Sequence, residues 1–279
     1  MNAKVMSEVT PIVLTFNEEA NLARTLESLR WAARVVVVDS GSTDSTRQIA
    51  AGFSNVEVFT RAFDGFGNQW NFGIRQTGIL SDLVLALDAD MAVTSQCLSE
   101  LREKFLPGGY AGGILPIHWC YFGKPLWGSF CPPQLRLFRR DLVQIGEFGH
   151  AHDFKIAGEV YSFKHGVWHE DRKPVERWLQ SQASYSRLED KRLQSGDRLR
   201  PRDRVRQSGW MPFLAGSLAF LRAGGPFGGK RALRYAWERV TYESLLAIRV
   251  LDRDLANDET RRTRPPLPAE RLSVEKTTT

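Results

Sequence analysis

The apolar run LVLAL, residues 83–87, ends in Asp88-Ala89-Asp90, so two carboxylates stand at the tip of a strand-like segment. On a continuing strand, side chains alternate and these two point to the same side. Like charges that close repel unless a cation lies beside them. A divalent metal with oxygen preference, Mg2+ or Mn2+, meets that need and leaves positions open for phosphate oxygens. The structural alternative is that the strand simply stops and Asp90 caps a helix carrying Leu98 and Leu101. Asp39-Ser40-Gly41-Ser42-Thr43-Asp44 follows a second apolar run, RVVVV. Gly41 suits a tight turn, while Ser42, Thr43 and Asp44 suit a helix cap. Asp39 either accepts hydrogen bonds from a base imide or ribose, or belongs to an ordinary strand-to-helix turn. Asn17-Glu18-Glu19 follows a third run, PIVLT. Asn17 is a candidate cap there, and the glutamates suit a helix start.

These tips need a scaffold. PIVLT, RVVVVD, VEVF and LVLALD are separated by segments with helical spacing, such as Leu22, Leu26 and Leu29, and residues 44–51. Near-continuous apolar strands alternating with helices predict a parallel sheet covered on both faces. Ligands of such sheets bind beyond the carboxyl ends of the strands, where these acidic groups gather. From about Gly108 to His169 the chain is rich in Gly, Pro and aromatic residues, and QLRLF and EVYSF predict irregular antiparallel strands. Pro174 opens a helix with Trp178, Tyr185 and Leu188 near one face. A basic stretch follows: Arg187, Lys191, Arg192, Arg198, Arg200, Arg202, Arg204 and Arg206. After it come WMPFLAGSLAFL, a glycine-rich break, and an amphipathic segment marked by Leu233, Trp237, Val240, Ala247 and Leu251. The polar tail 257–279 is expected to be disordered.

Composition narrows the partners. The 279 residues are 42% apolar with 8 Trp and 16 Phe, enough for a substantial core. A net charge of +6 points to an anionic partner: nucleotide, nucleic acid or lipid surface. No nucleic-acid recognition module is visible, so nucleic acid is set aside. Three cysteines make no disulfide framework and suit a reducing cytosol. His118, Cys120 and Cys131 fit no common tetrahedral zinc spacing. The first residues lack a secretory signal, and WMPFLAGSLAFL is too short to span a bilayer. That segment, with the arginines before it, is expected to lie in the interface of an anionic membrane surface.

Taken together, TFNEEANLARTLESL, VVVVDSGSTDST, FDGFGNQWNFG and LVLALDADMAV, in this order, resemble the family 2 inverting glycosyltransferases. PPQLRLFRR and WHEDRKPVERWL extend the likeness to bacterial lipopolysaccharide-core and cell-envelope members. The resemblance implies an α/β GT-A fold, a Rossmann-like, mostly parallel sheet flanked by helices, with a C-terminal helical membrane-interface appendage. The expected division is a transferase domain over 1–190, with a nucleotide-sugar half at about 8–107 and an acceptor half at about 108–173. A membrane-associating region over 191–256 follows.

By the same resemblance, Thr15, Asn17, Glu18 and Glu19 line the nucleotide site with Ser42 and Asp44, and Asp39 reads the base. Asp88 contacts ribose or diphosphate, Asp90 holds the metal with Asp88, and Asn71 lies near the sugar-phosphate, with Asp64 a weaker candidate. His169 completes the metal site, Arg172 binds diphosphate, and Arg136 or Gln134 faces donor or acceptor. Members of this kind often carry His-Glu where this chain has His150-Ala151. The general base is therefore sought at His150 and Asp153, with His152 third. The implied activity is metal-dependent transfer from a nucleotide-sugar, UDP-linked by family habit, to a lipopolysaccharide-core or lipid-linked glycan, at the cytoplasmic face of the plasma membrane. Two other readings are a non-catalytic nucleotide-sugar-binding membrane scaffold and a haloacid-dehalogenase-type phosphatase. The phosphatase motif normally has Thr or Val where this chain has Ala92.

Overall fold

The computed structural model describes residues 7–148, 151–196 and 199–263. Four parallel strands form its nucleotide-side half: β1 (Val9–Thr15), β2 (Val35–Asp39), β3 (Val56–Thr60) and β4 (Leu83–Asp88). They alternate with α1 (Leu22–Glu27), α2 (Thr46–Ala51) and α3 (Phe66–Arg75). Alternate residues of the strands feed opposite cores. Val13, Val37 and Leu85 pack with Leu22, Leu26 and Leu29 of α1, while Ile12, Val36 and Val84 pack with Trp70 and Ile74 of α3. That two-sided burial explains why these strands are unbroken apolar runs. Helix α3 comes close enough that a Cβ at Gly73 would stand 3.0 Å from the Ile12 side chain.

The remaining strands are β5 (Met91–Val93), β6 (Gly112–Leu115), β7 (Ile117–Tyr121), β8 (Lys124–Pro125), β9 (Gln134–Arg139), β10 (Val143–Phe148), β11 (Ala151–Ile156), β12 (Val160–Ser162) and β13 (Val167–His169). The main sheet has the order β12-β6-β9-β4-β1-β2-β3. Strand β9, from QLRLF, is antiparallel to both neighbours as expected. Strand β12, from EVYSF, instead runs parallel to β6. A smaller sheet, β5-β13-β7-β8, pairs His169 with Met91 and so brings the end of β13 beside Asp90. Helix α4 (Ser95–Glu100) is capped by the Thr94 side chain, not by Asp90, and its helical path continues to Gly108.

The C-terminal part contains α5 (Val175–Ser195), α6 (Pro201–Gln207), α7 (Met211–Arg222) and α8 (Gly229–Thr263). Helix α5 starts after Pro174 as expected but crosses the boundary placed at 190 and ends at Gly196, whose φ is +69°. Helix α8 has one buried face and one exposed face. Ala232, Tyr235, Ala236, Leu246, Ala247 and Val250 are buried, while Leu233, Trp237 and Leu251 are exposed. Leu188 of α5 is exposed too. Small residues let helices approach: a Cβ at Gly216 of α7 would stand 2.4 Å from Val240 of α8. Helix α8 continues to Thr263, past Asn257, and the rest of the expected tail lies outside the described residues.

Two arginines of the basic stretch are not surface groups. Arg192 donates to Glu189 and Asp203, and Arg206 to Glu189 and Glu243, in a buried ion-pair lattice joining α5, α6 and α8. Arg198 lies outside the described residues.

Candidate functional site

In the main sheet β1 lies between β2 and β4, so the order of strands reverses there. A crevice opens at such a switch point beyond the carboxyl ends. The register places Thr15 opposite Asp39 and Leu14 opposite Asp88.

The two loops after β1 and β2 are fastened to each other. Asp39 is fully buried, and its Oδ1 accepts from the backbone N–H groups of Gly41 (3.1 Å) and Ser42 (2.9 Å). Its Oδ2 accepts from the hydroxyls of Thr15 (2.9 Å) and Ser42. Ser42 Oγ in turn accepts from the N–H of Asn17 (2.8 Å), and Asn17 Oδ1 accepts from the N–H of Thr43 (2.8 Å). Asn17 is no helix cap: it adopts φ +55°, and α1 is entered at Asn21. Glu18 N–H donates to Thr46 Oγ1 (2.7 Å), Glu19 N–H to Asp44 (3.2 Å), and Ser45 N–H to Glu19 Oε2 (3.1 Å). Asp44 is held below its usual range: burial acts against this, but bonds from the Thr46 hydroxyl and nearby N–H groups outweigh it. In this arrangement Thr15, Asp39 and Ser42 shape the rim through their own mutual bonds, and Asp44 through Glu19 and Thr46.

Asp88 and Asp90 part company because β4 ends at Asp88 and the chain turns. Asp88 is ion-paired with the buried Arg136 of β9 (Nη2 to Oδ2 3.0 Å), whose Nε also donates to Gln134 Oε1 (3.0 Å). A fixed guanidinium thus supplies a counter-charge for Asp88. Asp90 is different. Its Oδ2 lies 3.3 Å from His169 Nε2, with the two side chains 14% and 16% exposed. Asp90 Oδ1 and His169 Nδ1 are buried without a hydrogen-bond partner. Burial raises the Asp90 pKa, and Asp88 and Asp171 raise it further against His169 and Lys173. Among the described residues no cluster of three or more His, Cys, Asp or Glu side chains is arranged for a metal. The orphaned carboxylate oxygen and the facing imidazole nitrogen nonetheless suit a divalent cation that takes its remaining ligands from phosphate and water.

Residues of WHEDRK surround this pair. Lys173 Nζ donates to Glu18 Oε1 (2.6 Å), and Asn21 Nδ2 donates both to Glu18 Oε2 and to Asp171 Oδ1 (2.9 Å each). Burial, with Asp90 adding, pushes Glu18 up to about 7, opposed by Lys173 and Asn21. Glu170 is buried and accepts from Gly123 N–H (2.9 Å) and Arg172 (2.8 Å), while Arg24 donates to the Glu170 carbonyl. The Trp119 ring lies 4.4 Å from that of His169.

Other expected residues lie elsewhere. Asn71 is half-buried in the middle of α3, and Asp64 pairs with Arg61 at the surface (2.6 Å). His150 lies outside the described residues, and of His152 and Asp153 only the backbone pairing in the β10–β11 hairpin is described. That hairpin leans on α3 through Phe154 and Trp70 (5.6 Å). Lys173, Asn21, Glu170 and Arg24 were not singled out from sequence. Buried Gln69, which donates to Ser40 Oγ (2.9 Å), was also missed. The charge-dense WHEDRK after a short strand was the available signal.

An uncharacterized glycosyltransferase of Rickettsia typhi is 31% identical over 101 residues, covering 36% of this chain and 34% of the relative. The lipopolysaccharide core biosynthesis glycosyltransferase LpsC of Rhizobium meliloti is 27% identical over 144 residues, covering 47% of this chain and 51% of the relative. The chain thus spans about a third to a half of the length of these curated relatives. Among solved structures, S. aureus TarS with UDP-GlcNAc aligns with a TM-score of 0.48 at 14% identity, covering 88% of this chain and 92% of that one. Glucosyl-3-phosphoglycerate synthase of Mycobacterium tuberculosis with Mn2+, UDP and phosphoglyceric acid aligns at 0.41 and 18%, covering 67% and 78%. The family described as glycosyl transferase family 2 matches residues 10–154, the stretch holding the tips of β1, β2 and β4. With more than half of its length matched and the acidic tips at the switch point of a Rossmann-like sheet, the chain belongs to glycosyl transferase family 2.

Proposed function

We propose that the chain transfers a hexosyl unit from a UDP-linked sugar to a hydroxyl of a lipopolysaccharide-core or other lipid-linked glycan, with inversion and with a divalent cation. The observation that carries this reading is the Asp90–His169 pair, with its unpartnered buried oxygen, beside the β1/β4 crevice. The match to the sugar-transferase family supports the reaction class, and the likeness to LpsC supports the acceptor class.

Asp90 and His169 are the residues that would hold Mg2+ or Mn2+, which would neutralise diphosphate charge as the leaving group departs. Arg136, locked by Asp88, offers a fixed positive charge at the same edge. The rim of Thr15, Asn17, Glu18, Glu19, Asp39, Ser42 and Asp44 shapes the nucleotide side, and Asn71 remains the sugar-phosphate candidate. In the transfer the acceptor oxygen bonds to the anomeric carbon while the bond to diphosphate oxygen breaks, and the electron pair leaves with the diphosphate. A transition state of oxocarbenium character follows by analogy with glycoside hydrolysis. The acceptor proton passes to a base, for which His150 and Asp153 stand beside a new candidate, Asp171. Asp171 Oδ1 is oriented by Asn21 and by the N–H of Lys173 (3.0 Å), within the electrostatic reach of Asp90.

No helix among the described residues is long and apolar enough to cross a membrane. A lipid-linked acceptor then calls for peripheral binding, on the inner, cytoplasmic face of the plasma membrane. The reaction is tested by calorimetric titration of UDP with and without Mn2+, on the natural chain and on Asp90→Ala. Metal-dependent binding lost in the variant is expected, and absence of binding to any nucleoside diphosphate overturns the proposal. Turnover of a bound donor separates the enzyme from a non-catalytic scaffold.

A further inference from the structure

Helix α7 is built inside out. Its buried face is Pro212, Ala215, Gly216 and Ala219, while Phe213, Leu214, Leu218 and Leu221 are exposed by 70%, 50%, 54% and 66%. In an ordinary surface helix the large apolar residues face the core. Here the small ones do, because α7 presses against α8 at Gly216 and Val240, and the large ones are left in solvent.

The exposed apolar surface extends beyond the helix at both ends. Trp210, 66% exposed, packs on Phe213 (5.7 Å) at the start of α7. Past its end, Phe227 (85% exposed) stacks flat on Trp127 (74% exposed), with ring planes 9° apart and centroids at 6.3 Å. A contiguous apolar surface of this extent marks an interaction site. Its charge is one-sided: residues 204–237 contain no Asp or Glu, but they contain Arg204, Arg206, Arg222, Lys230, Arg231 and Arg234. Arg206 belongs to the buried lattice and Arg234 pairs with Glu238, whereas Arg204, Arg222 and Lys230, which bracket the apolar segment along the chain, are exposed, Arg222 with its Nε on the Ser129 carbonyl.

We infer that this face, Trp210 through Leu221 with the Trp127–Phe227 stack, inserts into the headgroup region of an anionic bilayer, with α7 lying in the interface plane. Apolar side chains supply the area removed from water, and the surrounding cations supply attraction to lipid phosphates. The inference deepens the peripheral-membrane part of the proposed function and rests on it. It also selects which cations meet lipid, since Arg192 and Arg206 are committed inside the protein. Behind the inserted face, Ala219 and Ala223 share a core with Tyr235 and Trp119. Tyr235 of α8 lies 5.8 Å from Trp119, whose ring lies 4.4 Å from His169. Trp127 belongs to the segment joining β8 to β9, which carries Arg136 in its second strand.

The test is co-sedimentation of the full chain with vesicles of phosphatidylethanolamine and phosphatidylglycerol, against vesicles of phosphatidylcholine. Binding to the anionic vesicles, weakened by salt, is expected. Phe213→Ser with Leu218→Ser is expected to cut partitioning at least about tenfold, because both side chains lose their buried area in the interface. Arg204→Glu with Lys230→Glu is expected to weaken binding to anionic vesicles alone. Thermal melting and UDP titration of each variant report folding and the donor site separately, so loss of UDP binding with intact vesicle binding condemns only the transferase reading. Absence of vesicle binding by the natural chain overturns the inference, as does equal binding by the Phe213/Leu218 variant. A dimer in light scattering that this variant dissolves, with no vesicle binding, also overturns it and makes the face a contact between copies.

Discussion

Asp90 and His169 face each other at 3.3 Å from the turn after β4 and the end of β13, and each keeps one buried polar atom without a partner. Unsatisfied groups of this kind cost stability, and sites that bind ligands tolerate such costs. Replacing Asp90 by Asn removes a buried carboxylate from a cluster that also holds Asp88 and Asp171. Without added metal, Asp90→Asn is expected to stabilise the protein by about 1 kcal/mol, while the rise in melting temperature produced by Mn2+ with UDP disappears. Scanning fluorimetry reads both. A variant that retains the ligand-induced shift removes Asp90 from the donor site.

Glu18 supplies a pH signature. Its pKa is raised from 4.5 to about 7, chiefly by burial and then by Asp90. The folded state therefore holds the proton more tightly than the unfolded chain. The associated stability is complete below 4.5 and is lost as pH rises through about 7. In metal-free protein, the natural chain is expected to lose stability over that interval relative to Glu18→Gln. Denaturant midpoints of the two proteins at several pH values give the difference, and a flat difference refutes the assignment.

The loop fastening around Asp39 ranks two small substitutions. Thr15 gives Asp39 one hydrogen bond, whereas Ser42 gives it two and accepts a third from Asn17 N–H. Only the hydroxyl is lost in Ser42→Ala, so its bond to Asp39 and its acceptance from Asn17 go while the backbone bond stays. Thr15→Val is expected to cost about 1 kcal/mol and Ser42→Ala about 2 kcal/mol. Urea unfolding that reverses this order contradicts the fastening scheme.

The strand tips were legible because buried parallel strands leave a plain signature: RVVVVD and LVLALD admit few other readings, and polar residues at their ends mark a ligand edge. What the tips do was less legible. Period-two alternation placed Asp88 beside Asp90, but the strand stops at Asp88, and Arg136 arrives from β9 as its partner. Asn17 bonds to Ser42 and Thr43, and Glu19 to Asp44, across loops distant in sequence, which local capping rules do not anticipate. In the C-terminal part hydrophobicity alone does not tell which side of a helix is buried. The sequence marks α8 as amphipathic through Leu233, Trp237 and Leu251, and close helix packing selects alanine and glycine for the buried side and turns these large residues outward. Lys173 gave no periodic signal; its ammonium pairs with Glu18, 155 residues earlier.

Far from the crevice, Glu100 ends α4 with its carboxylate folded into the turn before β13. It accepts from the N–H groups of Lys164 (3.0 Å) and His165 (3.0 Å) and from Tyr161 Oη (2.8 Å), and its Oε2 lies 3.0 Å from His165 Nδ1. Burial alone would raise its pKa, but these bonds outweigh it and hold the group down to about 2. A depressed carboxylate contributes stability above its unfolded value of 4.5 that drains away as pH falls through about 2. Glu100→Gln keeps the shape but loses the charge, so it is expected to cost about 1.5–3 kcal/mol near neutral pH, the worth of hydrogen bonds to an ionised group. The cost should shrink steadily as the natural chain is acidified below 4.5, since protonation then does to Glu100 what the substitution does. Urea midpoints of both proteins along that acid limb decide the matter, and a gap independent of pH would show that the turn is held by shape alone.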